Sequence, residues 1–337
     1  MSDLDPRNSS RTPPLQSSTG DGTPLIAVCS LLSRADNTPL GERSLAPWHV
    51  PDRDGLPIAD SAAVPGMNGF EANANLNFEH WGEYWRKVHG VRFTHAEEAE
   101  DRSLDKLLRY DQLHRFAPGP THTDAPPYRP PLDANGKLWS TVVDHVERYR
   151  RPRWDGIAYT NFASRDDIGV VLDNPRFREK IEPEDRAMFR DIAPVLARQY
   201  IVLPSATGAE AATLVKLHAR APGVTRDAFQ QWWLREHAPL VAKHAGLVRR
   251  YVQLHNIGPT EPGQPQYHAA ACRIDGVTLL GFASVNDVEE FLGSAGQREI
   301  FEDERRMTDS AVEEWWTAVG MVVVDRLGAE RATRLDG

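Results

Sequence analysis

Three histidines of this chain, His218, His237 and His255, stand close in sequence to Lys216, Tyr251 and Gln253. Imidazole is the side chain best matched to proton transfer near neutral pH. A tyrosine hydroxyl can bond a carbonyl or enolate oxygen, and a lysine can stabilise developing negative charge. Together they suit deprotonation beside a carbonyl, followed by loss or migration of a group. His237, His255, His218 and Tyr251 are the candidate catalytic residues. His89, His114, Tyr110, Gln253, Gln112, Lys216, Trp233 and Trp85 are the candidate substrate-binding residues. Each has a plainer alternative: a helix-end histidine satisfying carbonyls, a strand-end histidine bonding a turn, a packed tyrosine. No nucleophile elbow, phosphate loop or Gly-x-Gly-x-x-Gly fingerprint occurs. His122 with Asp124 is too sparse for a metal site, and Asp144-His145 reads as a packing position, so no metal is expected.

These residues occur in pairs because the chain repeats itself. Residues 154–202 and 274–322 align without a gap at an offset of 120, with Asp155-Gly156-Ile157 against Asp275-Gly276-Val277 and Phe162-Ala163-Ser164 against Phe282-Ala283-Ser284. Upstream, the block from Arg109 to His114 matches that from Arg250 to His255. Trp81, Trp85 and His89 match Phe229, Trp233 and His237. The reading is a tandem duplication.

The elements that must carry these residues follow from periodicity. In the second copy Thr213–Arg220 alternates as a half-buried strand. Thr225 caps a helix placing Phe229, Trp233 and His237 on one face and ending near Pro239. Arg250–His255 and Val277–Phe282 are strands, Ser284-x-x-Asp287 and Ser164-x-x-Asp167 open helices, and Gly320–Asp325 closes the copy. This order, βαββαβ, is the ferredoxin-like unit. Two such sheets packed by their bare faces make an intramolecular, pseudo-dimeric α+β barrel. Val252 and Leu254 then suit the helix side, as do Val215 and Leu217. Tyr251, Gln253, His255, Lys216 and His218 point into the barrel, and Cys29 takes in the first copy the place that His218 has in the second. The expected organisation is a disordered tail at 1–22, repeat one at 23–207 with insertions at 35–77 and 115–153, repeat two at 208–328, and a tail at 329–337. Loops as long as these insertions are functional or disordered, and one could lid the barrel.

The run Ala-Pro-Gly-Val-Thr-x-x-x-Phe-x-x-x-Trp-x-x-x-His-Ala-Pro at 221–239 resembles the EthD family of dimeric α+β barrels. The first copy keeps Trp85 and His89 but has Trp81 for Phe and Gly90-Val91 for Ala-Pro, a divergent form. The resemblance implies a barrel of two ferredoxin-like units around a pocket. It implies dehydratase, cyclase, isomerase or cofactor-free oxygenase chemistry on polyketide or aromatic molecules, and more distantly haem-dependent lyases and peroxidases. The expected function is a cofactor-independent lyase or isomerase. The alternatives are a haem enzyme with an axial histidine, or a non-catalytic binding protein, favoured if large apolar side chains fill the barrel.

Composition sets the outer bounds. The 337 residues carry 48 acidic against 39 basic side chains, a formal charge of −9. That balance counts against a nucleic-acid partner, and no apolar run suffices to span a membrane. Cys29 and Cys272 give no disulfide framework, so a reducing cytoplasm is expected. The partner is a small molecule, and a monomer is feasible because one chain supplies both halves of the barrel.

Overall fold

The computed structural model describes residues 15–18, 25–34, 81–82, 84–94, 100–115, 154–205, 210–310, 312–327 and 331–334. The insertions, apart from Arg115, lie outside these residues, as do His122, Asp124 and Asp144-His145.

Eight antiparallel strands close into a barrel. The first half contributes β2 (Ile26–Arg34), β3 (Arg109–Arg115), β4 (Gly156–Phe162) and β5 (Phe189–Leu203). The second contributes β6 (Ala212–His218), β7 (Val248–Asn256), β8 (Gly276–Phe282) and β9 (Glu314–Asp325). The order around the wall is β5-β2-β4-β3-β9-β6-β8-β7, with β7 returning to β5. The halves therefore join twice, through β3–β9 and β5–β7. Both expected tails contain a short strand: β1 (Leu15–Ser18) pairs with β10 (Arg331–Arg334) and with the end of β5. Backbone pairing needs no apolar side chain, which is why the composition of these segments did not signal it.

The helices are α1 (Arg165–Leu172), α2 (Glu182–Met188), α3 (Arg226–Trp232), α4 (Ala238–Lys243), α5 (Ala269–Cys272), α6 (Val285–Gly293) and α7 (Ala295–Glu304). The expected caps are made: Ser164, Thr225 and Ser284 accept from the amides of Asp167, Ala228 and Asp287. The helix does not end at Pro239. It passes through a π-turn at Trp233–His237, where the Ala238 amide reaches back to the Trp233 carbonyl, and resumes as α4 with the proline in its first turn. A proline lacks an amide hydrogen, and the first turn of a helix does not need it. A π-turn also spans Trp85–His89 in the first half.

The barrel interior is the largest apolar cluster, and every one of the eight strands enters it. Ala27, Cys29, Leu31, Leu113, Ile157, Tyr159, Val195, Val215, Leu217, Val252, Leu254, Val277, Leu279 and Trp316 are all buried there. The expected assignment of faces is therefore reversed. Val252 and Leu254 point inward, whereas Tyr251 packs against α4 and α6, and Lys216, His218, Gln253 and His255 bond groups beneath the helices. Alternation separates two faces without saying which is inner. A closed barrel holds no water to satisfy polar groups, while the helices offer carbonyls and carboxylates, so the polar set goes to the helices. The middle of the barrel is a core rather than a substrate chamber.

Strand register corrects a second expectation. Both Leu32 and His218 face the first glycine of the neighbouring strand, Gly156 and Gly276 respectively. His218 thus corresponds to Leu32, Lys216 to Ser30, and Cys29 to Val215. Those two glycines let a tryptophan ring lie flat on the strand. A Cβ on Gly156 would stand 2.6 Å from Trp85 Cζ3, and one on Gly276 would overlap the Trp233 ring. Gly276→Ala should cost about 1–3 kcal/mol through displacement of that ring, read as a lower denaturant midpoint. An unchanged midpoint would mean the ring does not rest there.

Candidate functional site

In each half a Tyr-x-Gln-x-His strand lies under the π-turn. Gln253 Nε2 donates to the Trp233 carbonyl at 3.0 Å and to the Tyr251 oxygen at 2.6 Å, and its Oε1 lies 2.9 Å from His255 Nε2. Gln112 repeats this toward the Trp85 carbonyl, Tyr110 and His114 at 2.9, 3.0 and 3.0 Å. Both amide hydrogens are spent, so the oxygen must accept, and each histidine carries its proton on Nε2. Burial, with Arg198 nearby, pushes His255 down to about 3. Burial and Arg86 push His114 down to about 4. Burial raises the Tyr110 and Tyr251 phenols above their usual range. These six residues form neutral brackets that fix the π-turn, and His255 and Tyr251 are poorly matched to proton transfer at neutral pH.

The charged groups sit one turn further on, and they differ between the halves. In the second, His237 Nδ1 is 2.8 Å from Asp303 Oδ2, and its Nε2 is 3.5 Å from Glu304 Oε1. Lys216 donates to the same Glu304 oxygen, while Glu304 Oε2 is buried and has no hydrogen-bond partner among the described residues. His218 adjoins, with Nε2 2.9 Å from Thr278 Oγ1 and Nδ1 3.2 Å from Glu313. Burial alone would raise the Glu304 carboxyl. Lys216, His237 and His218 together outweigh burial and hold it well below the usual carboxylate range. His237, His218 and Glu304 are 1–2 % exposed, so the cluster is closed.

In the first half His89 Nδ1 meets Glu184 at 3.0 Å and Nε2 meets Asp185 at 3.2 Å, and Arg92 pairs with Glu184. Burial lowers the His89 pKa, but Asp185 and Glu184 outweigh it and carry it from the usual 6.5 to about 9. A raised folded-state value stabilises the fold fully below about pH 6.5, and that contribution is lost as pH rises through about 9, some ~3 kcal/mol in all. Denaturation of wild type between pH 6 and 9.5 should show that loss and His89→Gln should lack it. Parallel profiles would exclude His89 as the source. With Ser30 and Leu32 in place of Lys216 and His218, this half has no counterpart of the second half's lysine and histidine.

The structure thus brings His237, His218, Lys216, Trp233, Tyr251, Gln253 and His255 together, and His89, His114, Tyr110, Gln112 and Trp85 in a separate cluster. The acids Glu304, Asp303, Glu184 and Asp185 were missed. One signal was available: Glu184 and Glu304 are identical at the offset of 120. A cleft of about 1090 Å³ lies elsewhere, between α1 and the segment after β7, lined among others by Ile168, Asn174 and Pro259. It shares no residue with either cluster.

An axial haem ligand must offer one imidazole nitrogen to iron. His237, His218 and His89 have both nitrogens engaged, and His255 and His114 lie against Trp233 and Trp85 with ring centroids 4.6 and 4.3 Å apart. These histidines do not fit haem ligation. Among the described residues no group of three or more His, Cys, Asp or Glu is placed to hold a metal ion, and no helix is long and apolar enough to cross a membrane.

Several solved structures are similar over most of the chain at low identity. An anthrone oxidase-like protein is 9% identical, covering 93% of this chain and 99% of its own, with a TM-score of 0.48. A candidate monooxygenase from Lactobacillus acidophilus NCFM is 8% identical, with coverages of 93% and 99% and a TM-score of 0.45. A mutant chlorite dismutase from Candidatus Nitrospira defluvii is 8% identical, with coverages of 89% and 92% and a TM-score of 0.39. No curated protein sequence matches the chain. The family match falls on the half that carries the lysine-bearing cluster: residues 221–311, from the turn before α3 to the segment that precedes β9, match the EthD domain.

Proposed function

We propose that this chain is an acid–base enzyme of the lyase or isomerase type, built by tandem duplication of an EthD-like ferredoxin unit and acting without a redox cofactor. Its substrate class is a cyclic, carbonyl-bearing molecule of polyketide or aromatic character. The observation that carries this reading is the buried chain Asp303–His237–Glu304–Lys216, with one Glu304 oxygen unpartnered. Buried charge is costly unless it is used or fully paired, and here the pairing is incomplete.

In this reading His237 takes the proton beside the carbonyl, Asp303 holds the ring and balances the imidazolium, and Lys216 with His218 faces the developing oxyanion. The closed cluster requires an opening step, for which the π-turn helix is the movable cover. The second half works while the first, with Ser30 where the second has Lys216, supports the fold. Free Cys29 and Cys272 suit a reducing compartment such as the cytoplasm, and a barrel closed within one chain suits a monomer.

The test is deuterium incorporation at the carbon beside the carbonyl in a panel of cyclic 1,3-diketones and anthrones, followed by NMR. Catalysed exchange at one member supports the reading. A second reading, a non-catalytic binding protein, is favoured by the apolar barrel interior, and binding without exchange would select it.

A further inference from the structure

Behind His237 stands a carboxylate that is itself held. Asp303 Oδ2 lies 2.8 Å from His237 Nδ1, and the other oxygen, Oδ1, accepts from Arg306 Nη2. Among the described residues these are the two partners of the Asp303 side chain. The acid is 7 % exposed, whereas the Arg306 side chain is 70 % exposed. A buried imidazole is thus joined through one carboxylate to a guanidinium at the surface.

The backbone fixes this geometry. Helix α7 ends at Glu304, and the Arg306 amide closes the following turn on the Asp303 carbonyl at 3.2 Å. The Thr308 amide and hydroxyl both bond the Glu304 carbonyl at 2.9 Å. The Met307 carbonyl accepts from the Ala221 amide, and the Asp309 amide donates to the Ala219 carbonyl, each at 2.8 Å. The turn is therefore clamped to the chain just beyond β6. Residues three apart at a helix end share a side, so Arg306 reaches Asp303 without leaving the surface. A carboxylate offers two equivalent acceptor oxygens and can rotate. A donor on Oδ1 stops that rotation and leaves Oδ2 for Nδ1. The ring proton then sits on Nδ1, and Nε2 is the nitrogen left for reaction.

The first half is built differently. At the offset of 120, Pro183 stands for Asp303 and Arg186 for Arg306. Arg186 donates to Glu182 at 3.0 Å, and His89 takes its carboxylates from Glu184 and Asp185. The arginine occurs in both halves, and the aspartate that links it to the histidine occurs in the second.

We propose that Arg306 is a positioning residue for His237, acting through Asp303. Its bearing on catalysis rests on the acid–base reading above, while the positioning itself rests on this geometry. An exposed ion pair contributes little to stability, so Arg306→Gln keeps the fold. The readout is the ring ¹⁵N spectrum of His237, assigned by its absence in His237→Gln. In Arg306→Gln the Nδ1 shift should move toward its value in Asp303→Asn. Arg306→Lys should stay near wild type, because one contact to Oδ1 needs only a point charge. Arg186→Gln, changing the matched arginine, should leave the shift unmoved. An Nδ1 shift unchanged in Arg306→Gln, or displaced equally by Arg186→Gln, overturns the proposal. The exchange rate should fall in Arg306→Gln and return in Arg306→Lys. If Nδ1 responds as expected while wild type catalyses no exchange, the positioning role stands and the acid–base reading is what fails.

Discussion

Lys216→Met will destabilise the protein by about 3–5 kcal/mol at neutral pH, because it removes the principal countercharge of a fully buried carboxylate. Lys216 bonds Glu304 directly, and His237 Nε2 lies 3.5 Å from the same oxygen. In wild type the Glu304 pKa is depressed, so its contribution is present above the usual carboxylate value and lost only as pH falls through the lower folded value. Without the lysine, burial dominates and lifts that pKa. The acid then protonates readily, and the deficit against wild type narrows as pH drops from 7.5 toward 5. Lys216→Met with Glu304→Gln should recover most of the loss, since a neutral amide costs less to bury than an unpaired charge. Denaturation of both variants at the two pH values checks this. A pH-independent deficit, or no recovery in the double variant, would show that the lysine acts by packing its stem.

The polar residues were legible in the sequence because the same pattern occurs in it twice. Tyr110, Gln112 and His114 against Tyr251, Gln253 and His255 could be picked out with no structure, and they do converge on the helix carrying Trp85 or Trp233. Their side of the sheet was not legible. Period-2 alternation is symmetric under exchange of faces, and only closure of the barrel decides that Val252 goes to a dry interior while Gln253 meets a helix carbonyl. The π-turns were equally hidden, because the spacing Trp-x-x-x-His reads the same in an α-helix. Glu304 was overlooked for another reason. It stands among charged residues at the end of α7, and one acid in such a run becomes special only when the helix docks it against Lys216.

His89 and His237 stand in matched places with different surroundings, which makes the catalytic assignment testable within one molecule. His237→Gln should lower kcat for the exchange reaction by about 10²- to 10⁴-fold, the usual worth of a positioned acid–base group. Asp303→Asn should lower it less, because the ring survives but loses the carboxylate bonded to its Nδ1. His89→Gln, removing the matched histidine from a cluster with no lysine, should leave kcat within about threefold below pH 8, beyond its cost in stability. The ordering carries the argument, since simple damage to the barrel would depress activity from either half. If His89→Gln and His237→Gln lose kcat equally while both remain folded by circular dichroism, proton transfer is not the work of the second half alone. The lysine would then have to be read as a structural counterion to Glu304.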